Sequence, residues 1–300
     1  MSGASVDPPL PAVRQAVALA LAEDWLPLGD LTASLLDPAL AARPSIVARA
    51  PGVVAGRLCA LETFRQVDEG IEVDWLAPDG TAVAPGEVVA RVQGSLRSIL
   101  TAERTALNFL CHLSGVATAT RRLVDAVAAA SSSTRVVDTR KTVPGLRALQ
   151  KAAVRAGGAH NHRGSLSDGV LLKDNHIGAL GIEEAVARAR ARFPMRTIEV
   201  ECDRPDQAME AASAGAQVVM LDNMTPDAVA STVRALRAAG YGVLVEVSGG
   251  VSEASAPAFA AAGADLLSVG ALTHSAAALD LGLDLGAPPP DPSSAQPGSL

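Results

Sequence analysis

The chain has 300 residues, 49% of them hydrophobic and 19% charged, with a formal net charge of −7; this describes a globular protein with one large or two medium cores. Aromatic residues make up only 2%, so Ala, Val and Leu must fill the interior, and an acidic chain so poor in stacking rings is not a nucleic-acid binder. Apolar runs such as Ala126–Ala130 are far too short to span a bilayer. No cationic-then-apolar signal opens the sequence, and the three scattered cysteines (Cys59, Cys111, Cys202) lack ligand spacing. Reduced thiols in a cytoplasmic protein are therefore expected, and no zinc site.

A Pro/Ser/Gly leader, disordered over about residues 1–9, precedes Leu10–Glu23, whose apolar spacing predicts a helix. A polar turn follows, Glu23–Thr32, and then short strands at Ser45–Arg49, Gly52–Ala55, Ile71–Leu76 and Glu87–Val92. Turn signals at Pro51-Gly52, Pro78-Asp79-Gly80 and Pro85-Gly86 separate several of them, and a short helix falls at Cys59–Val67. Strands with an interspersed helix predict a small α+β domain over the first third. Leu96–Ala130 reads as helical again, broken near Ser114-Gly115. Within it, Arg104 has a plain reading as a surface ion-pair partner.

The rhythm then changes. Strand-length apolar runs at Thr134–Val137, Val170–Leu172, Thr197–Val200, Val218–Leu221, Leu244–Val247 and Leu266–Val269 alternate with Ala-rich helical segments. This pattern predicts βα units around a parallel sheet. Just beyond the runs stand Asp138–Lys141, Lys173, Glu201, Asp222, Ser248-Gly249-Gly250 and Gly270. Polar groups gathered at strand carboxyl ends favour an α/β barrel, incomplete because only about six strands are visible. An open doubly wound sheet is the alternative, and it lacks its dinucleotide fingerprint here. The expected organisation is an N-terminal α/β sandwich domain over 1–115, an incomplete six-stranded α/β barrel over 116–286, and a Pro/Ser-rich disordered tail over 287–300.

The stretch Asp138–His176 concentrates cations on an acidic chain, which focuses field on a small anion. Arg147, Lys151 and Arg155, four residues apart, read as an exposed helix face. Arg140, Lys141, His162, Arg163 and Lys173 sit beside strand ends. Arg forks and a Lys point charge suit carboxylate recognition, whereas His162 alone could be a structural hydrogen-bonding group. His112 and His274 read as structural. Glu201 and Asp222, at separate strand ends, suit Mg²⁺ shared with substrate phosphate and water, or else pair with the lysines. Ser248-Gly249-Gly250 before a helix, with Gly270-Ala271-Leu272 after the next strand, can cradle a phosphate.

The segments DTRKTVPGLRALQKAAV, GGAHNHRGSLSDGVLLKDNH, IEVE, VVMLDN, EVSGGV and LLSVGALTHSAAALDLGLD resemble the quinolinate phosphoribosyltransferases (carboxylating nicotinate-nucleotide pyrophosphorylases). EDWLPLGDLT and LTAERTALNFLCHLSGVATAT resemble the N-terminal part of that family, so the likeness runs from about Glu23 to Asp284. One departure is Ala159-His160, where the family usually carries a third glycine and an apolar residue; this leaves the shape of the loop before His162 open. The resemblance implies a six-stranded barrel and conversion of quinolinate and phosphoribosyl pyrophosphate to nicotinate mononucleotide, pyrophosphate and CO₂, with Mg²⁺. It implies that Arg140, His162, Arg163 and Lys173 line the quinolinate pocket. Lys141, Glu201 and Asp222 would serve phosphoribosyl pyrophosphate and Mg²⁺. Thr139, Ser248, Gly249, Gly250, Gly270, Ala271 and Leu272 would complete substrate binding, mainly at the 5′-phosphate. Lys141, Lys173, Glu201 and Asp222 would be the catalytic set. Arg104 would reach quinolinate from a neighbouring subunit, making the active unit at least a homodimer, with further assembly into a hexamer left open. Two readings from other classes compete: a Schiff-base lyase with Lys173 as nucleophile, and a non-catalytic anion-binding protein. A phosphoribosyltransferase for another anionic acceptor is a nearer competitor.

Overall fold

Apolar residues at helical spacing in the first described helix, α1 (Leu10–Trp25), bury Val13, Val17 and Leu21 along one side. The helix stops before Leu26-Pro27, since a residue preceding proline is disfavoured in α geometry. The computed structural model describes residues 6–131 and 133–285; most of the expected leader and the whole of the expected tail lie outside them.

Next come β1 (Ala41–Ala42), β2 (Ser45–Ala48), β3 (Gly52–Val53), α2 (Arg57–Val67), β4 (Glu72–Trp75), β5 (Ala82–Val83) and β6 (Val88–Ser95). The long β6 is the spine of an antiparallel sheet: β4 pairs along one part of it, and β1 and β2 pair with it in succession. Its buried face (Ile46, Ala48, Val89, Val92) packs with Phe64 of α2 and Ile99 of the helix that follows, each fully buried aliphatic or aromatic side chain stabilising by about 1.5–3 kcal/mol.

That helix, α3 (Leu96–Ala130), is continuous for 35 residues. The break expected at Ser114-Gly115 is absent, and the physical reason is packing. Ser114 Oγ accepts from Ala55 N (2.9 Å) and donates to Ala55 O (3.2 Å), while a Cβ at Gly115 would collide with the carbonyl oxygen of Ala277. These two residues are small because backbone crosses there, not because the helix ends.

The remaining elements are β7 (Arg135–Val137), α4 (Arg147–Ala156), β8 (Val170–Leu172), α5 (Asp174–Leu180), α6 (Ile182–Arg192), β9 (Ile198–Cys202), α7 (Pro205–Ala214), β10 (Val218–Asp222), α8 (Pro226–Ala238), β11 (Leu244–Ser248), α9 (Ala256–Ala261), β12 (Leu266–Ser268), α10 (Ala271–His274) and β13 (Leu281–Asp284). Six of these strands form one parallel sheet in the order β7-β12-β11-β10-β9-β8. The first and last in this order, β7 and β8, do not pair, so the α/β barrel is incomplete. The central strand β10 is buried from Val218 through Leu221, as expected of a strand covered on both faces. After the barrel, β13 returns to pair antiparallel with β2, Leu281 facing Ala48 and Asp284 facing Ser45. The sequence reading had no strand there.

Candidate active site

The barrel strands deliver their polar residues to one mouth. A cavity of about 350 Å³ is lined by Thr139, Arg140, Lys141, His162, Arg163 and Lys173, with Glu201, Asp222 and Ser248 across from them at the ends of β9, β10 and β11. Leu171, Met220 and Ser268 complete its wall. Nine of the residues singled out from the sequence thus share one space.

The glycine segments sit beside it. Gly249 and Gly250, directly after β11, have φ of +89° and +64°, a left-handed course that glycine adopts without penalty. Gly270 precedes α10, and a Cβ there would press on Lys141 Cδ at 3.0 Å. Of the following pair, Ala271 is exposed and Leu272 is buried. Arg104 is elsewhere: with Glu23, Asp24, Asn108 and His112 it lines a separate cavity of about 230 Å³ that shares no lining residue with the first. His112 Nε2 meets Gln150 Nε2 at 2.9 Å, and burial lowers the pKa of this histidine. His274 contacts Ser275 Oγ through Nδ1 at 2.6 Å.

Arg147, Lys151 and Arg155 do share one side of α4, but that side faces the strand-end loops rather than solvent, correcting the surface expectation. Lys151 is only 6% exposed; its ammonium donates to Asp138 and to the carbonyl oxygen of His162 (2.8 Å). Asp138, fully buried at the end of β7, also accepts from His162 N (2.9 Å) and Asn161 Nδ2 (2.6 Å). Arg155 bonds Asn161 Oδ1 and the carbonyl oxygens of Val6 and Asp7. The Ala159-His160 departure leaves the loop in order: His160 is exposed, its N–H donates to Val136 O (3.0 Å) and its carbonyl accepts from Asp138 N (3.2 Å).

Below the cavity lies a buried acidic pair that sequence reasoning missed. His162 Nε2 stands 3.0 Å from Glu199 Oε2 and 3.4 Å from Glu246 Oε2, and Ser268 Oγ donates to the other oxygen of Glu246. Burial disfavours a charged imidazole, but the hydrogen bonds and charges of Glu199 and Glu246 outweigh it and lift the His162 pKa to about 10. Burial also raises the Glu199 pKa. Arg163 N lies 2.8 Å from His162 Nδ1, which orients the ring with Nε2 toward the two carboxylates. The available signal was period-2 spacing: Glu199 and Glu201 lie on the same face of β9, so a carboxylate inside an apolar strand faces the barrel interior.

The cations above this pair are incompletely compensated. Arg163 donates to Gly169 O at 3.2 Å; burial first, and then the neighbouring Arg140, lowers its pKa. Arg140 Nε is buried with no hydrogen-bond partner among the described residues. Lys173 and Glu201 form an ion pair, and Asp222 Oδ2 accepts from Asn223 Nδ2 (2.6 Å). Two carboxylates and the Ser248 hydroxyl around one cavity form a hard-oxygen donor set that fits Mg²⁺ together with water and phosphate oxygens.

Fold and site together define an α/β-barrel protein whose strand-end cavity is built for small, multiply charged anions. Residues 116–284 match the family described as quinolinate phosphoribosyl transferase, C-terminal domain, and residues 30–114 match its N-terminal domain; the chain belongs to this family. Among its relatives, the nicotinate-nucleotide pyrophosphorylase [carboxylating] of Mycobacterium leprae is 43% identical over 280 residues, covering 91% of this chain and 97% of the relative. The probable enzyme of the same name from Bacillus subtilis is 41% identical over 259 residues, covering 86% and 88%. The solved structure of nicotinate-nucleotide pyrophosphorylase from Francisella tularensis superimposes with a TM-score of 0.88 at 38% identity, covering 95% of this chain and 99% of that one.

Proposed function

We propose that this chain catalyses the family reaction, in which quinolinate and phosphoribosyl pyrophosphate give nicotinate mononucleotide, pyrophosphate and CO₂. The observation that carries the reading is the unpartnered buried Nε of Arg140 beside the like-charged Arg163. Two guanidinium groups that repel each other at a cavity wall are stabilised by a dianion, and adjacent carboxylates on a pyridine ring supply one. Arg140, Arg163, His162 and Lys173 would hold quinolinate, the His162 proton remaining with its acidic partners.

Lys141, Glu201 and Asp222 would serve phosphoribosyl pyrophosphate, with Thr139, Ser248, Gly249, Gly250, Gly270, Ala271 and Leu272 completing its site and holding the 5′-phosphate. Glu201 and Asp222 would hold Mg²⁺ through carboxylate oxygens and water, where it would offset the charge of the pyrophosphate. Lys141 neutralises negative charge growing on the same leaving group. The ribose C1 becomes oxocarbenium-like as the bond to pyrophosphate breaks. The pyridine nitrogen, aimed by the two arginines, attacks from the opposite face, and positioning supplies much of the rate. The ring is then cationic and stabilises the electron pair left on its carbon when the adjacent carboxylate departs as CO₂, and that carbon takes up a proton from water to give the C–H of the product. No general base is required.

The Schiff-base alternative is disfavoured because Lys173 is ion-paired with Glu201 rather than held in an apolar pocket. We place the shared active site in a homodimer, itself capable of forming hexamers, because Arg104 lies in a cavity apart from the one that its role requires. The three free cysteines support a cytoplasmic location, and no described helix is long and apolar enough to cross a membrane. The two family matches meet between residues 114 and 116, which supports division into a sandwich domain over 1–115 and a barrel over 116–286, although α3 crosses that point. The deciding experiment is measurement of CO₂ and pyrophosphate release from purified protein given quinolinate, phosphoribosyl pyrophosphate and Mg²⁺. Equal release dependent on all three is expected; intact, ligand-binding protein that releases neither product rules the reading out.

A further inference from the structure

Three residues of α4, Arg147, Gln150 and Lys151, fall at i, i+3 and i+4 and share one face of the helix. Each reaches a different part of the backbone around the cavity. Arg147 donates to the carbonyl oxygens of Arg140 (3.3 Å) and Gly164 (3.1 Å). Gln150 accepts from Val143 N (2.9 Å) and donates to Thr273 O (2.7 Å); the Thr273 hydroxyl in turn donates to Lys141 O (2.8 Å). Lys151 joins Asp138 to the carbonyl oxygen of His162, and Asp138 accepts the His162 N–H.

These bonds end chiefly on main-chain groups, so they fix where the loops run rather than how one side chain turns. Arg147 alone touches both loops that carry the candidate acceptor-binding cations: residues 139–142, with Arg140, and residues 161–164, with His162 and Arg163. None of the three α4 residues lines the cavity.

We propose that this face of α4 is the template that sets Arg140 against Arg163, with Arg147 and Lys151 as positioning residues that confer recognition of two adjacent carboxylates on one ring. The inference rests on the acceptor assigned above. Its physical basis is geometric. The carboxylates of an ortho-dicarboxylate have a fixed separation, so cations on two different loops engage both only when the loops keep register. The two arginines cannot keep that register themselves, because their charges repel. A brace from the helix behind them supplies it.

The test uses the full chain carrying Arg147→Met, Lys151→Met or Lys151→Arg. KM is measured for quinolinate and phosphoribosyl pyrophosphate separately, and calorimetry follows binding of phthalate, an unreactive ortho-dicarboxylate. Displacements near 1 Å cost about 100-fold in comparable sites, so for Arg147→Met we expect quinolinate KM and phthalate Kd to rise about 10–100-fold. KM for phosphoribosyl pyrophosphate should rise clearly less, because only one of the two braced loops, the one with Thr139 and Lys141, serves it, whereas both serve the acceptor. Lys151→Arg should recover part of what Lys151→Met loses. Lys151→Met leaves the buried Asp138 unpaired and is prone to unfold, so folded Arg147→Met decides the matter. An equal rise for both substrates, or no rise, in that folded variant overturns the inference. If wild-type protein binds phthalate but releases no CO₂, the proposed reaction falls and the phthalate comparison still decides the role of α4. If wild-type protein releases CO₂ but binds no phthalate, the reaction stands and recognition of two adjacent carboxylates, with the role given to α4, falls.

Discussion

Asn223 fills the space that a side chain at Gly249 would need. Asn223 is the single non-glycine residue with a positive φ (+56°) among the described residues, and its N–H donates to Ser248 O at 3.0 Å. Its side-chain oxygen sits where a Cβ on Gly249 would go. Because Asn223 Nδ2 also donates to Asp222 Oδ2, the glycine turn and a candidate metal-binding carboxylate are mechanically one unit.

Gly249→Ala should therefore disturb donor-substrate handling. The added methyl group pushes Asn223, and through it Asp222, while φ of +89° strains any L side chain. We expect a fall of about 100-fold in kcat/KM for phosphoribosyl pyrophosphate and a stability loss of about 1–3 kcal/mol, with quinolinate binding little changed. Kinetics with each substrate varied, together with thermal melts, checks this; wild-type kinetics in the variant would refute the coupling.

Arg140→Ala should remove quinolinate affinity selectively. Loss of a charge-assisted bidentate contact costs about 1.5–3 kcal/mol or more, which is about 10–100-fold in Kd, while phosphoribosyl pyrophosphate should bind as before. Calorimetry with each ligand alone makes the comparison, and parallel loss of both would show that Arg140 does not divide the cavity as proposed.

Arg104→Ala and Lys173→Ala proteins, each inactive alone, should regain activity on mixing if Arg104 completes a neighbour's site. A statistical mixture is half heterodimer with one intact site of two, so recovery should approach about a quarter of wild type. Absence of recovery in a verified heterodimer would place Arg104 outside the site.

Stability should show an acid limb set partly by Glu62. Its carboxylate, 6% exposed, accepts from Arg65 at 2.7 and 2.8 Å and from Gln66 at 2.9 Å, and the Arg65 hydrogen bonds lead in lowering its pKa to about 2. The folded pKa lies below the unfolded value of about 4.3, so the stabilisation is present above that value and is lost as pH falls toward 2. Glu62→Gln should cost about 1–2 kcal/mol at pH 7, with the gap to wild type closing between about pH 4 and 2. A pH-independent gap in denaturant titrations would contradict the assignment.

The residues that the sequence exposed were those at strand ends, because parallel strands announce themselves as apolar runs and whatever polar group follows stands out. Arg140, Lys173 and Asp222 were visible for that reason. Residues whose partners are distant in sequence were not. Spacing placed Lys151 correctly on one side of a helix but could not say which side faces inward, since Asp138 is buried only once β7 and α4 meet. Glu199 and Glu246 were hidden inside strands whose apolar character dominated the reading. Gly115 looked like a helix breaker because a lone sequence does not show the backbone of Ala277 crossing it.

The pairing of β13 with β2 has a consequence for how the chain is made. Synthesis proceeds from the N-terminus, so Ser45–Ala48 emerges far ahead of Leu281–Asp284, the strand that covers its edge. Throughout translation of the barrel, the open hydrogen-bonding edge of β2 is a template for any extended chain nearby. A ribosome that stalls, or a protease that clips, before Leu281 would release a product with its barrel strands present and that edge bare. Among the described residues β13 is the last strand, so the edge of β2 is covered only after every barrel strand has been made.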